Sequence, residues 1–236
     1  MNILIREVDD KKESISKFFH FLERLEFNEL IINDINLGED SRYTLPIGIS
    51  TVQKSSCIIL LYNFIESVIT NLISKIHDEI IRNNISFFDL NSDIRNTIIM
   101  YYSNVVEKMN FKNSAPHIQE IFLLLANTKK MGLTYKKLSE FYSLYSGNLD
   151  SREARKVFQH YGINILKDEG GLKTIKDGRN KLAHGELTFE EYGRTLTIQQ
   201  LKDLKEKVFI YFDSLLSQVK EYIERENYLE ANNDEE

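Results

Sequence analysis

Arg179, Asn180 and His184 stand close together in the run Arg179-Asn180-Lys181-Leu182-Ala183-His184-Gly185. Such a run spans about one and a half turns of a helix, and Gly185 is placed to stop it. Arginine carries a planar cationic fork suited to a phosphate. Neutral histidine takes a proton near pH 7, and its charged form returns one. Together these are the roles that cutting an RNA strand without a metal requires. At about 100° per residue, Asn180 and His184 share a helix face, whereas Arg179 and His184 lie about 140° apart. They flank a groove rather than touch, which suits a phosphate held between them or across a symmetric pair of helices. His184 falls in the last turn, where the negative end of the helix dipole favours a protonated ring able to donate to a leaving oxygen.

The same spacing suits a plain helix end, because His is favoured near C-termini and Gly at the cap. Arg179 would then be a surface partner of Asp177 or of a nearby Glu. Asn63 and Glu66 lie about one turn apart on an apolar helix and share a face, and polar groups there need partners if buried. Glu66 either pairs with Arg179 or the His184 imidazole to orient it, or clasps two helices together. Both readings predict the same contact.

Arg152, Arg155, Lys156, Lys167, Lys173, Lys176 and Lys181 make the region before and within the motif locally basic. Lys173, Lys176 and Lys181 in particular are a candidate track for an RNA backbone, although a solvated helix face has the same composition. His160, Tyr161 and Tyr192 suit either base stacking or ordinary packing. His20, His77 and His117 have no ligand spacing, so no metal is expected, nor any other cofactor. Cys57, the only cysteine, sits on an apolar face and reads as core. Gly170-Gly171 lacks the lysine and hydroxyl of a phosphate-cradling loop.

The elements that must position these residues are helical. Apolar residues recur at three- and four-residue steps from about Val8 to Ile35, before a loop at about 37–50 marked by Gly38, Pro46 and Gly48. About Thr51 to Asn83 is strongly apolar and reads as the central, most buried helix. Further helices are expected over Asn91–Lys108, Ile118–Ala126, Thr134–Tyr142, Ser151–Tyr161 with Ser151 as its cap, and Leu172–His184. Thr197 caps a long final helix to about Tyr228. The fold class is all-α: an antiparallel helical bundle of long helices with shorter inserted helices.

The chain has 236 residues, a net charge of -6, and apolar and charged fractions of 42% and 28%. Those are values of an ordinary soluble globular protein, and the charge argues against a surface coated in basic residues. With two prolines and no Gly/Ser-rich linker, a single domain over 1–236 is expected. Residues 1–50 would complete the bundle, 51–229 would form its core, and 230–236 would be a disordered acidic tail. No signal-peptide core is present, and the uninterrupted apolar runs are too short to span a bilayer. A soluble, cytoplasmic protein without membrane partners is expected.

More of the chain than the motif has a familiar pattern. Arg-Asn-x-x-Ala-His before the last part of a helical bundle resembles the Arg-x4-His signature of the HEPN superfamily. Leu61-Tyr62-Asn63-Phe64-Ile65-Glu66-Ser67 is similar to the Tyr-Asn-x-x-Glu-Ser stretch of its bacterial MAE-type branch. So are Gly185 to Phe189, Gly193 to Thr197, and the last helix with Tyr222-Ile223 and Tyr228-Leu229. The resemblance covers roughly Cys57 to the C-terminus. It implies a helical bundle that dimerises, bringing two motifs together, and a metal-independent endoribonuclease of toxin–antitoxin or phage-defence systems. His184 would be the general acid/base, Arg179 would neutralise phosphate charge, and Asn180 would orient the phosphate or the His, with Glu66 and Asn63 in support. RNA would be the substrate, and an antitoxin or regulatory protein a partner. The alternative is a non-catalytic HEPN module that binds a nucleotide, RNA or a protein.

Overall fold

Helix α1 (Asn2–Glu26) forms because Leu4, Val8, Ile15, Phe19, Leu22 and Leu25 fall on one stripe, and that stripe is buried. The periodicity extends the helix to Ile35, but it ends at Glu26. Ile32–Asn33 (β1) instead pairs antiparallel with Arg42–Tyr43 (β2), with Ile32 opposite Tyr43. The run Leu30-Ile31-Ile32 is one where apolar period and β-branched side chains pull towards different elements. The structure is a computed structural model describing residues 1–27, 32–33, 42–43, 46, 48–109, 111–145, 147–165 and 170–231, the side chains of 32–33, 42–43 and 111–112 excepted. Most of the loop expected at 37–50, Lys167, and the tail from Asn232 lie outside the described residues.

Helix α2 (Ile49–Arg82) follows, then a 3₁₀ turn at Phe87–Asp89 and α3 (Ser92–Lys108), whose cap Asn91 accepts a hydrogen bond from the Ile94 amide at 3.0 Å. Helix α4 (Phe111–Leu125) starts well before the expected Ile118, since Pro116 sits inside it rather than ahead of it. Then come α5 (Tyr135–Phe141), capped by Thr134, and α6 (Ser151–Gln159). The cap of α6 is Asp150, not Ser151: its carboxylate accepts from the amides of Arg152 and Glu153 at 2.9 and 3.0 Å. The motif helix α7 (Gly171–Ala183), the short α8 (Phe189–Arg194) and the long α9 (Ile198–Glu224) complete the chain. Apart from β1 and β2, every regular element among the described residues is helical. The fold is all-α.

These residues form two compact units. One, here the motif unit, comprises Asn2–Glu66 and Glu169–Tyr211. The other comprises Met1, Ser67–Asp168 and Phe212–Glu236. In the motif unit, α1 meets α9 through Lys12 over the Phe209 ring and Lys205 over Phe19. Phe64 of α2 packs on Phe209 at 5.6 Å between centroids. Lys54 of α2, largely buried, pairs with Glu26 of α1.

The other unit has a polar core. Buried His77 contacts the Leu133 carbonyl through Nδ1 at 2.7 Å and the Tyr161 hydroxyl through Nε2 at 2.9 Å. The Tyr222 hydroxyl donates to the Tyr161 carbonyl at 2.6 Å, and Asn91 donates to the Asn227 carbonyl at 3.0 Å. Glu230 is held by the Asp89 carbonyl through its amide and by Arg95 through its carboxylate.

Candidate functional site

Helix α7 opens at Gly170, a left-handed residue at φ 93° that a Cβ would strain. It closes in a Schellman motif. The Glu186 amide donates to the Lys181 carbonyl at 2.9 Å, the Gly185 amide donates to the Leu182 carbonyl at 3.3 Å, and Gly185 has φ 69°. His184 is therefore the helix C-cap, and it is exposed. Leu172, Ile175 and Leu182 bury the opposite side of the helix.

Gly178 brings α7 close to its neighbours. A Cβ there would stand 2.1 Å from the Tyr192 hydroxyl of α8 and 3.1 Å from Ile58 of α2. Gly193 does the same for α8, where an added Cβ would collide with the Thr51 carbonyl of α2 at 1.8 Å. The Ser55 hydroxyl donates to the Phe189 carbonyl at 2.5 Å and ties α8 down further. Burial first, and the nearby Asp177 charge second, raise the Tyr192 phenol above its usual range. The short helix α8 gave no periodic signal, but Thr188 and Glu191 spell a capping box, and each side chain receives the other's backbone amide.

With α7 so placed, Arg179 lies on the side facing α2. Its guanidinium carbon sits 4.2 Å from the centroid of the Tyr62 ring, which is fully buried. Its Nη1 donates to the Asn180 side-chain oxygen at 3.0 Å, and its Nη2 is 3.8 Å from the Glu66 carboxylate. The contact is thus with Arg179, one of the two partners expected for Glu66. Both side chains stay partly open to solvent, at 25% and 31% exposure for Arg179 and Glu66, so the attraction is screened and favours orientation over stability. Tyr62 and Glu66 reach the same guanidinium because they lie one turn apart on α2.

The structure thus brings Arg179, Asn180 and Glu66 together and adds Tyr62. His184 stands on the same helix, at its exposed end. Asn63 lies on the exposed side of α2, and Lys173 and Lys181 are exposed on α7. Lys176 is half-buried, 3.7 Å from Asp177. Arg152, Arg155 and Lys156 belong to α6 in the other unit, where Lys156 pairs with Glu153 at 2.9 Å. Tyr161 and Tyr192 are buried and His160 is half-buried near the Thr97 hydroxyl, so packing accounts for these three rings. Cys57 is buried among apolar residues, and burial pushes its thiol up to about 12. Among the described residues, no three His, Cys, Asp or Glu side chains are grouped as metal ligands.

Chemically, the arrangement offers a cationic fork held by three side chains, on a helix that ends in an exposed imidazole able to exchange protons with bulk water. No curated protein and no solved structure matches the chain. A family model does, over residues 2–228, which spans both units and the motif. HEPN domains of this kind point to nuclease or RNA-binding modules. The chain belongs to the HEPN_MAE_28990-like HEPN family.

Proposed function

We propose that the protein is a metal-independent endoribonuclease whose site is built on α7. The observation that carries this reading is the clamped Arg179 guanidinium, held by Tyr62, Asn180 and Glu66 one helical turn ahead of an exposed His184. In the reaction, a ribose 2′-oxygen bonds to the adjacent phosphorus and the bond from phosphorus to the 5′-oxygen breaks. The products are a 2′,3′-cyclic phosphate and a 5′-hydroxyl.

One proton must leave the 2′-hydroxyl and one must reach the 5′-oxygen. A neutral His184 performs the first task and a protonated His184 the second. Two copies of the motif in a homodimer supply both states at once. Arg179 neutralises charge that grows on the non-bridging oxygens, and the Asn180 amide orients the phosphate. The need for a 2′-hydroxyl makes RNA the substrate and excludes DNA. An activity that degrades the host's own RNA calls for restraint, so an antitoxin or regulatory protein belongs to the same proposal, with a role as toxin or phage-defence effector.

One observation favours a second reading. His184 closes α7 in a regular Schellman geometry, a position that histidine fills for structural reasons alone. On this reading the cleft of a non-catalytic module binds RNA, a nucleotide or a protein, and Arg179 is the clamp. Purified protein incubated with RNA in excess chelator separates the two. Products ending in cyclic phosphate, abolished by His184→Ala, are the expected outcome. Cleavage that survives the substitution would overturn the proposed mechanism, and tight RNA binding without products would establish the module.

A further inference from the structure

Of Tyr62, Asn180 and Glu66, which meet the Arg179 guanidinium, Tyr62 is the one that composition alone assigns to the core. It lies in the apolar run of α2 and is fully buried. Burial of a tyrosine needs no cation on its ring. Here the guanidinium of Arg179 lies over the face of that ring at 4.2 Å, with the Arg179 side chain a quarter exposed. The attraction between a cation and a ring face holds the guanidinium carbon over that face. Asn180 at 3.0 Å and Glu66 at 3.8 Å then act on its two terminal nitrogens and restrict how it turns over the ring.

We infer that Tyr62 is a positioning residue: it holds Arg179 in the position from which the guanidinium meets a substrate phosphate. The inference rests on the ribonuclease reading for its consequence in catalysis. The geometry of the pair stands without that reading. Tyr62 touches no substrate, so its effect passes entirely through Arg179. An arginine head on a long flexible side chain has many orientations to lose. A rigid buried ring beneath it removes most of that search before the phosphate arrives, which is how a preorganised charge acts on a transition state. The ring is needed for this role, and the phenol oxygen is not.

Two substitutions separate the ring from the hydroxyl. Tyr62→Phe keeps the face, whereas Tyr62→Leu keeps only apolar bulk. With a fluorogenic RNA oligonucleotide, Tyr62→Phe should retain kcat within about threefold of wild type. Tyr62→Leu should lose about tenfold or more in kcat with KM little changed, the signature of an interaction realised in the transition state. Circular dichroism and melting of both variants identify the temperature at which they are folded, and kinetics are compared there. In protein with labelled arginine, NMR should show the Arg179 side-chain protons shifted upfield by the Tyr62 ring in wild type and Tyr62→Phe, and unshifted in Tyr62→Leu.

A folded Tyr62→Leu that cleaves at the wild-type rate would overturn the inference, as would a wild-type Arg179 with no ring shift. If the wild type cleaves no RNA, the ribonuclease reading fails by itself. Tyr62 is then decided by binding of a 2′-O-methyl RNA oligonucleotide. A tenfold weaker affinity in Tyr62→Leu, restored in Tyr62→Phe, supports positioning of Arg179 for phosphate, and equal affinities overturn it.

Discussion

At the scale of the residue, the clearest contrast is between Arg179 and His184. Arg179 is engaged on one face and two edges, whereas His184 is exposed. A group that must hold a fixed charge benefits from such contacts, and a group that must pass protons benefits from water. Replacing Arg179 by lysine keeps the charge but gives up the planar fork, which suits both the ring and a two-point contact with phosphate. RNA cleavage by Arg179→Lys should therefore fall by about tenfold or more, at a melting temperature near that of wild type. Recovery of full activity with lysine would show that a point charge suffices, and the preorganised fork would lose its role. His184→Ala should cost about a hundredfold or more in kcat, the usual contribution of one general acid/base. Because His184 is exposed, that loss should come with little change in stability; a large drop in Tm instead would mark it as a structural cap.

Among the elements, α7 depends on a residue that does no chemistry. At Gly178 an alanine would gain about 1 kcal/mol of helix propensity. It would also force a methyl to 2.1 Å from the Tyr192 hydroxyl, at the end of a buried ring with little room to move. The clash wins, since overpacking of this kind costs about 1–3 kcal/mol, and the relief is a shift of α7 away from α8 and α2. Gly178→Ala should lower Tm and reduce kcat together, because Arg179 moves with its helix; an unchanged urea midpoint would show that α8 yields freely. Much of this architecture is legible beforehand. Apolar spacing and caps give α2, α3, α7 and α9 to within a few residues, and spacing leaves Arg179 and His184 open as partners of Glu66, of which the contact with Arg179 forms. Other parts are hidden for physical reasons. Helix α8 has six residues, too few for a period, and only Thr188 and Glu191 announce it. Tyr62 in an apolar run looks like packing, since nothing in a sequence says which face of a ring meets a cation. Gly178 in mid-helix marks a close approach without saying to what.

Across the whole molecule, two kinds of burial coexist. By length and composition alone, helix α2 is long and apolar enough to cross a bilayer. Polar residues interrupt it, so its unbroken apolar runs stay too short for a bilayer. Yet 56% of its most apolar stretch is buried inside the protein, as in a core helix, and the helix carries Glu66 to its contact with Arg179. Further along α2, in the other unit, the buried group is polar. The Leu133 carbonyl can only accept, so the Nδ1 of His77 carries the proton and its Nε2 accepts from the Tyr161 hydroxyl. Burial disfavours the charged ring and lowers the folded pKa from 6.5 to about 4, outweighing the Leu133 hydrogen bond and the Asp78 charge, which raise it. Below pH 6.5 the unfolded chain takes up a proton that the folded chain refuses, so stability falls as pH drops from 6.5 towards 4 and levels off beneath that. A shift of this size is worth about 3 kcal/mol over the full window. Urea unfolding at pH 7, 5.5 and 4.5 should show that decline, and in His77→Gln, whose amide offers one donor and one acceptor to the same partners, the decline should be smaller by about this amount. Carboxylates titrate alike in both proteins, so the difference isolates His77. Parallel curves would mean that His77 is not held neutral, and that the polar core built on Tyr161 and Tyr222 tolerates a charge.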